Sequence, residues 1–100
     1  MTRFRLSRQA KADLEAIAAY IGDRNPSAAV QELRRLREKF SILEENPLLG
    51  ELRQELPRSP RSFTAGNYVI LYQQAINGIE IARVVHASRD IGTILRENES

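Results

Sequence analysis

Tyr68-Val69-Ile70-Leu71-Tyr72-Gln73-Gln74-Ala75-Ile76-Asn77-Gly78-Ile79-Glu80-Ile81-Ala82-Arg83-Val84-Val85-His86 decides the fold. Aromatic and β-branched residues dominate both ends of this stretch, the composition of strands. Asn77-Gly78 between them is the strongest short hairpin signal, because a type I′ turn needs positive φ at both central positions. The spacing therefore predicts a strand from Tyr68 to Ala75, a turn at Asn77-Gly78 and a last strand from Ile79 to His86. Tyr68 to Tyr72 is apolar at consecutive positions, so both faces of that strand are buried and it lies centrally in its sheet. Just upstream, Gly66-Asn67 is a second two-residue turn, and Ser62 to Ala65 is a short strand leading into it.

Further upstream the period changes. Residues 47–60 carry Pro47, Pro57, Pro60 and Gly50 and read as a loop. Before it, Val30, Leu33, Leu36, Phe40 and Leu43 recur at helical spacing. That helix begins at Asn25-Pro26, with Asn as N-cap and Pro where a missing N–H costs nothing. It ends at Asn46-Pro47, since the residue before Pro avoids the α region. Ala10, Leu14, Ile17 and Ile21 mark an earlier helix, capped by Ser7 and stopped at Gly22. Arg3 to Leu6 is extended in character. Residues 88–96 form a short terminal helix. The order is β-α-α-β-β-β in an α+β fold: a helix hairpin packed on a small antiparallel sheet, as one domain over residues 1–100.

The chain has 100 residues, 42% of them hydrophobic, enough for a core at this length. It lacks cysteine, which excludes a disulfide scaffold, a thiolate zinc site and a cysteine nucleophile. With His86 the one histidine, no metal or cofactor is expected. No apolar run approaches the ~20 residues of a membrane span. Arg3, Arg5 and Arg8 break any signal-peptide pattern, so a cytoplasmic protein is expected. The net charge is only +2, a weak field for a protein held by phosphates, so direct nucleic-acid binding is not expected. Arginines outnumber lysines thirteen to two. Either coding bias or a surface built for specific guanidinium contacts accounts for that.

Arg34, Arg35, Arg37 and Lys39 alternate with Glu32, Glu38, Glu44 and Glu45 on the second helix and read as a solvated face with local ion pairs. Arg53, Arg58 and Arg61 form a weak basic cluster, offset by Glu51 and Glu55. The most suggestive cluster ends the last strand: Arg83, His86, Arg89 and Asp90, where functional groups collect on a rigid base. A buried, hydrogen-bonded structural role is the favoured reading for His86. With Arg61, these residues could on paper cleave RNA without metal. His86 or Asp90 would move protons while arginines stabilise the phosphorane.

Four ordered stretches resemble the RelE/ParE superfamily of bacterial toxin–antitoxin toxins, and more closely its ParE-like branch. They are Phe4-Arg5-Leu6-Ser7 leading into Ala12-Asp13-Leu14 with Ile17 and Tyr20-Ile21; Glu45-Asn46-Pro47 with Gly50; Arg61-Ser62-Phe63 with Gly66-Asn67-Tyr68 through Tyr72; and Arg83-Val84-Val85-His86 with Arg89-Asp90-Ile91. The resemblance implies the fold read above and a cognate, ParD-like antitoxin whose C-terminal segment wraps the toxin. It also implies one of two activities, poisoning of DNA gyrase or ribosome-dependent cleavage of mRNA. RelE-type nucleases carry a basic residue where this chain has Val69, and tend to keep a tyrosine in the C-terminal segment. Residues 91–100 here hold neither Tyr nor His. Arg89 does fall where such nucleases keep an arginine. The favoured expectation is a gyrase-binding toxin with no catalytic residues. The alternatives are a metal-independent RelE-like endoribonuclease using Arg61, Arg83, His86, Arg89 and Asp90, and a non-toxic interaction module. Arg61, Arg83, His86, Arg89 and Asp90 are the expected target surface. Tyr20, Arg24, Arg34 and Arg37 are the expected antitoxin contacts, beside a groove between the helix hairpin and the sheet.

Overall fold

The computed structural model describes residues 4–97. Its elements are β1 (Phe4–Leu6), α1 (Arg8–Gly22), α2 (Pro26–Glu45), β2 (Glu51–Leu52), β3 (Arg61–Ala65), β4 (Tyr68–Ala75), β5 (Gly78–His86) and α3 (Ile91–Glu97). Arg3, expected to open the first strand, lies outside the described residues. The α+β class, the helix hairpin on a sheet and the short terminal helix all hold.

Both long helices start where their caps dictate. Ser7 Oγ accepts from the Ala10 N–H at 3.0 Å, and Asn25 Oδ1 accepts from Ala28 at 3.1 Å ahead of Pro26. Gly22 is not the expected left-handed stop: it stays helical, and Asp23 caps the helix in a right-handed conformation. The chain leaves α1 because Asn25 must be extended to cap α2.

The strand order is β1-β5-β4-β3-β2. β3, β4 and β5 pair antiparallel as expected; Glu51–Leu52, read as part of the loop over residues 47–60, instead forms β2 by pairing antiparallel with β3, and β1 runs parallel to β5, with Phe4 opposite Ile79 and Leu6 opposite Ile81. The sheet is therefore mixed. The helix hairpin is the crossover that lets the first strand lie parallel to the last. The last hairpin also turns one residue earlier than expected. Ala75 pairs with Gly78, so Ile76 and Asn77 form the turn and only Asn77 has positive φ, 67°. The β3–β4 turn is Gly66-Asn67, with Gly66 at φ 60°.

β4 is central and buried on both faces. Ile70 and Tyr72 join Ala10, Leu14, Leu36, Phe40 and Leu43 under the hairpin. Val69 and Leu71 face the other way, against Leu56, Val85 and Ile94, with Ile91 and Leu95 at the border. A bulge where Leu71 pairs with Arg83 and Tyr72 with Ile81 leaves Ala82 as the extra residue. It brings Val84 onto the same face as Ile79 and Ile81. Val30, which shares the helical spacing of Leu33, Leu36, Phe40 and Leu43, is exposed. Among the described residues no helix is long and apolar enough to cross a membrane.

Tyr72 is fully buried, so its phenol must find partners. It accepts from the Gly50 N–H at 2.8 Å and donates to the Pro47 carbonyl at 2.9 Å. A Cβ at residue 50 would come within 2.7 Å of that hydroxyl and 2.9 Å of the Ser62 carbonyl, so only glycine fits. Tyr72→Phe deprives both backbone groups of their buried partner. It is expected to lower stability by about 1–3 kcal/mol. Chemical denaturation checks this, and an unchanged midpoint would show that the clamp is dispensable.

Candidate functional site

The site is built at the exit of β5. β1 ends at Leu6, so the outer edge of β5 is left without a strand from Ala82 onward. Side chains of the first helix turns take over that edge. The Ser7 hydroxyl donates to the Ala82 carbonyl at 2.7 Å, and the Val84 N–H donates to Asp13 Oδ2 at 2.9 Å. The same carboxylate receives Arg83 in bidentate form, Nε to Oδ2 at 2.8 Å and Nη2 to Oδ1 at 3.0 Å. Both side chains are only about 15% exposed. Arg83 is thus committed to an internal ion pair that ties α1 to β5.

Beyond it the chain turns back on itself. His86 is exposed, not buried as expected, because it ends the strand where no element covers it, and it meets the Tyr68 ring edge-to-face at 5.6 Å. Its Nδ1 accepts from the Ser88 N–H at 3.1 Å and lies 2.8 Å from Ser88 Oγ. In that arrangement the proton of the neutral ring sits on Nε2. The turn is completed by Ala87 N–H to the Asn67 carbonyl and Arg89 N–H to the His86 carbonyl. Asp90 caps α3, accepting from the Thr93 hydroxyl at 2.8 Å and the Thr93 N–H at 3.3 Å. Those two bonds lead the causes that hold its carboxyl below the usual aspartate range. The Arg89 guanidinium has no hydrogen-bond or ion-pair partner among the described residues.

His86, Arg89 and Asp90 therefore come together, with Arg83 three residues back and turned toward α1. Arg61 does not join them. It sits opposite Tyr72, and His86 sits opposite Tyr68, four residues or roughly 13 Å along β4. Its Nη1 donates to the Gly50 carbonyl at 2.8 Å. Tyr68 was not among the expected site residues, yet it joins the hairpin to His86. Burial, then the nearby Glu32 and Tyr20, push its phenol above the ordinary range. Asp13 was also missed as a site residue. Its signal was legible, because Asp13 lies three residues after Ala10 and four before Ile17, on the apolar stripe of α1.

Arg34 and Arg37 line a shallow groove of about 430 Å³ with Val30, Leu33, Glu38 and Ser41; all six belong to α2, so this groove does not lie between the hairpin and the sheet as expected. Tyr20 and Arg24 do not line it. Tyr20 is 63% exposed, with the Arg24 guanidinium 5.1 Å above its ring.

The sequence model of the family described as the ParE toxin of the type II toxin-antitoxin system, parDE, matches residues 4–91. Toxin ParE1 of Caulobacter vibrioides (strain ATCC 19089 / CIP 103742 / CB 15) is 34% identical over 89 residues, covering 88% of this chain and 92% of that protein. A solved chain titled as the chromosomal ParDE TA system from P. aeruginosa superposes with a TM-score of 0.72. It is 21% identical, and the match covers 86% of this chain and 96% of that one. Both long helices, all five strands and the β5 exit through Ile91 fall within the matched span, so the chain belongs to the ParE toxin family of type II toxin–antitoxin systems.

Proposed function

We propose that this ParE-type toxin acts in the cytoplasm as one domain over residues 1–100, arresting growth by binding DNA gyrase and not by cutting RNA. The observation that supports this best is the covering of the sheet face that holds Val69. Val69, Leu71 and Val85 are buried against Leu56 and Ile94. Metal-independent RNA cleavage needs a base, an acid and cations converging on one phosphate. Here each candidate serves a local bond: Arg83 holds Asp13, Arg61 holds the Gly50 carbonyl, His86 holds Ser88 and Asp90 caps α3. Arg89 is left as the cation offered to a partner, on a rigid turn that costs little ordering on binding.

A cognate, ParD-like antitoxin neutralises it, in this reading, by docking on the exposed face of α2. The groove lined by Val30, Leu33, Arg34, Arg37, Glu38 and Ser41 has two arginines to one glutamate beside its apolar residues, which supports an amphipathic helix carrying acidic residues as its occupant. Tyr20 and Arg24 are exposed further contacts for the same wrapping segment.

Arg89→Ala tests the target surface. A desolvated arginine anchor is worth about 2 kcal/mol or more, so the variant should bind gyrase at least about 30-fold more weakly and relieve growth arrest. Full supercoiling inhibition by folded Arg89→Ala removes that residue from the surface. His86→Gln should leave inhibition intact. A nuclease using His86 would lose about 10²–10⁴ in rate from the same change. Wild-type cleavage of ribosome-bound mRNA, lost in His86→Gln, would therefore favour the endonuclease. A folded wild type that neither inhibits supercoiling nor cleaves mRNA nor slows growth would favour the interaction module. Arg34→Glu with Arg37→Glu should weaken the cognate antitoxin at least about ten-fold in calorimetry, the scale of one contact above 1 kcal/mol. Unchanged affinity would take the groove out of that interface.

A further inference from the structure

We propose that the hollow where β3 begins binds a phosphate group, carried as inorganic phosphate or as a small phosphomonoester. The site is separate from the β5 exit and from the α2 groove, and the inference does not rest on the gyrase reading.

The hollow exists because β4 outruns β3. Arg61, the first residue of β3, pairs with Tyr72, while β4 continues to Ala75. Ala65 and Tyr68 flank a two-residue turn and form a hydrogen-bonded pair, and the alternation of the ladder makes Arg61–Tyr72 hydrogen-bonded as well. Two residues on, the Gln74 N–H and C=O turn to the same side, where no strand pairs with them. The space left is about 300 Å³, lined by Arg58, Ser59, Arg61, Gln73 and Gln74, with Leu52 and Tyr72 behind them.

Its charge has one sign. Two guanidinium groups line the hollow and no carboxylate does. Arg58 is exposed and has no ion pair among the described residues. Arg61 Nη1 donates to the Gly50 carbonyl at 2.8 Å, which fixes the guanidinium while leaving its other N–H groups to the hollow. The acids nearby in sequence are taken or turned away. Glu55 is bonded to Arg53 at 2.7 Å, and Glu51 precedes Leu52 on β2, so its side chain takes the opposite face. Arg58 also borders a second cleft, whose one carboxylate, Glu80, is paired with Arg5 at 3.4 Å.

The loop accepts strain to place these groups. Arg58 and Ser59 are both left-handed, at φ 65° and 46°, a conformation that glycine adopts freely and other residues avoid. The Ser59 N–H donates to the Leu56 carbonyl at 3.0 Å, the Arg53 N–H donates to the Pro60 carbonyl at 2.8 Å, and Leu56 is buried beside Leu71. Backbone strain persists where the surroundings over-determine it, and it gathers at ligand sites. Here the two strained residues are the ones that bring a guanidinium and a hydroxyl to the hollow.

A phosphate dianion matches two guanidinium forks, and the Ser59 hydroxyl and Gln74 N–H add neutral donors. A carboxylate would leave one cation unmatched. A nucleic-acid strand needs cations in succession along a surface. The neighbouring Arg53 is already paired, and the two available guanidinium groups share one hollow.

The test titrates the isotope-labelled full chain with inorganic phosphate, adenosine monophosphate or acetate at constant ionic strength, read by amide NMR. The two phosphates should shift the Arg58, Ser59 and Gln74 amides saturably, and acetate should not. Tighter binding of the monophosphate assigns the site to an ester, and tighter binding of inorganic phosphate to the free ion. Arg58→Gly removes the guanidinium and relieves the left-handed strain, so binding should weaken at least about ten-fold at an unchanged or higher thermal midpoint. Arg58→Gln should weaken binding equally at unchanged circular dichroism. Absence of a saturable shift with either phosphate, an equal response to acetate, or full binding by folded Arg58→Gly or Arg58→Gln would overturn the proposal. Affinity for single-stranded oligonucleotides that rises with each added nucleotide would also overturn it, assigning the hollow to a polymer.

Discussion

The double burial of β4 is the constraint on which the molecule depends. Ile70 and Tyr72 face one way and Val69 and Leu71 the other, all essentially removed from water. A strand apolar on both faces cannot sit in a two-layer domain with one side wet. One face is covered by α1 and α2 through Leu14, Leu36, Phe40 and Leu43. The other takes Leu56 from the proline-rich loop and Ile94 from α3, elements whose order follows from having an apolar surface to close. Tyr72 adds a polar demand within this burial, and meeting it fixes the turn from Pro47 to Gly50.

A second constraint arises where β1 is too short. Its three residues protect β5 only as far as Ile81. The next backbone groups of β5 are met by Ser7 and Asp13, side chains of the helix that β1 feeds. Arg83 is drawn into the same arrangement by the carboxylate that holds the Val84 N–H. The charge nearest the strand exit is therefore spent on architecture, because a buried carboxylate accepting one backbone bond is satisfied best by a bidentate guanidinium. Arg89, three residues past His86, is left outside this network.

These two constraints shape the functional surface. The chemistry that Arg61, Arg83, His86, Arg89 and Asp90 could perform together needs them around one point. Their hydrogen bonds instead distribute them between a turn clamp, an inter-element ion pair, a local turn and a helix cap. Offered outward are Arg89 beyond β5, a groove on α2 lined by Val30, Leu33, Arg34, Arg37, Glu38 and Ser41, and the exposed leucines Leu48, Leu49 and Leu52.

The sequence by itself determined the helix hairpin, the central strand and the strand pairs joined by short turns. Each rests on local signals: the 3.6-residue spacing of Leu33, Leu36, Phe40 and Leu43, the caps at Ser7 and Asn25, and the apolar run from Tyr68 to Tyr72. Family membership was legible in the same way, as motifs in order along the chain. Tertiary structure decided what depends on residues far apart in sequence. The parallel pairing of β1 with β5 joins residues about 75 positions apart, and no periodicity encodes a partner's direction. The bulge at Ala82 and the turn at Ile76-Asn77 are settled by which register buries Ile79, Ile81 and Val84 together. Val30 shares the helical spacing of Leu33 and Leu36 but is exposed. The candidate cluster at β5 read as one site because its members are near in sequence. Asp13, seventy residues away, determines what Arg83 can do, since a charge goes where its desolvated partner is.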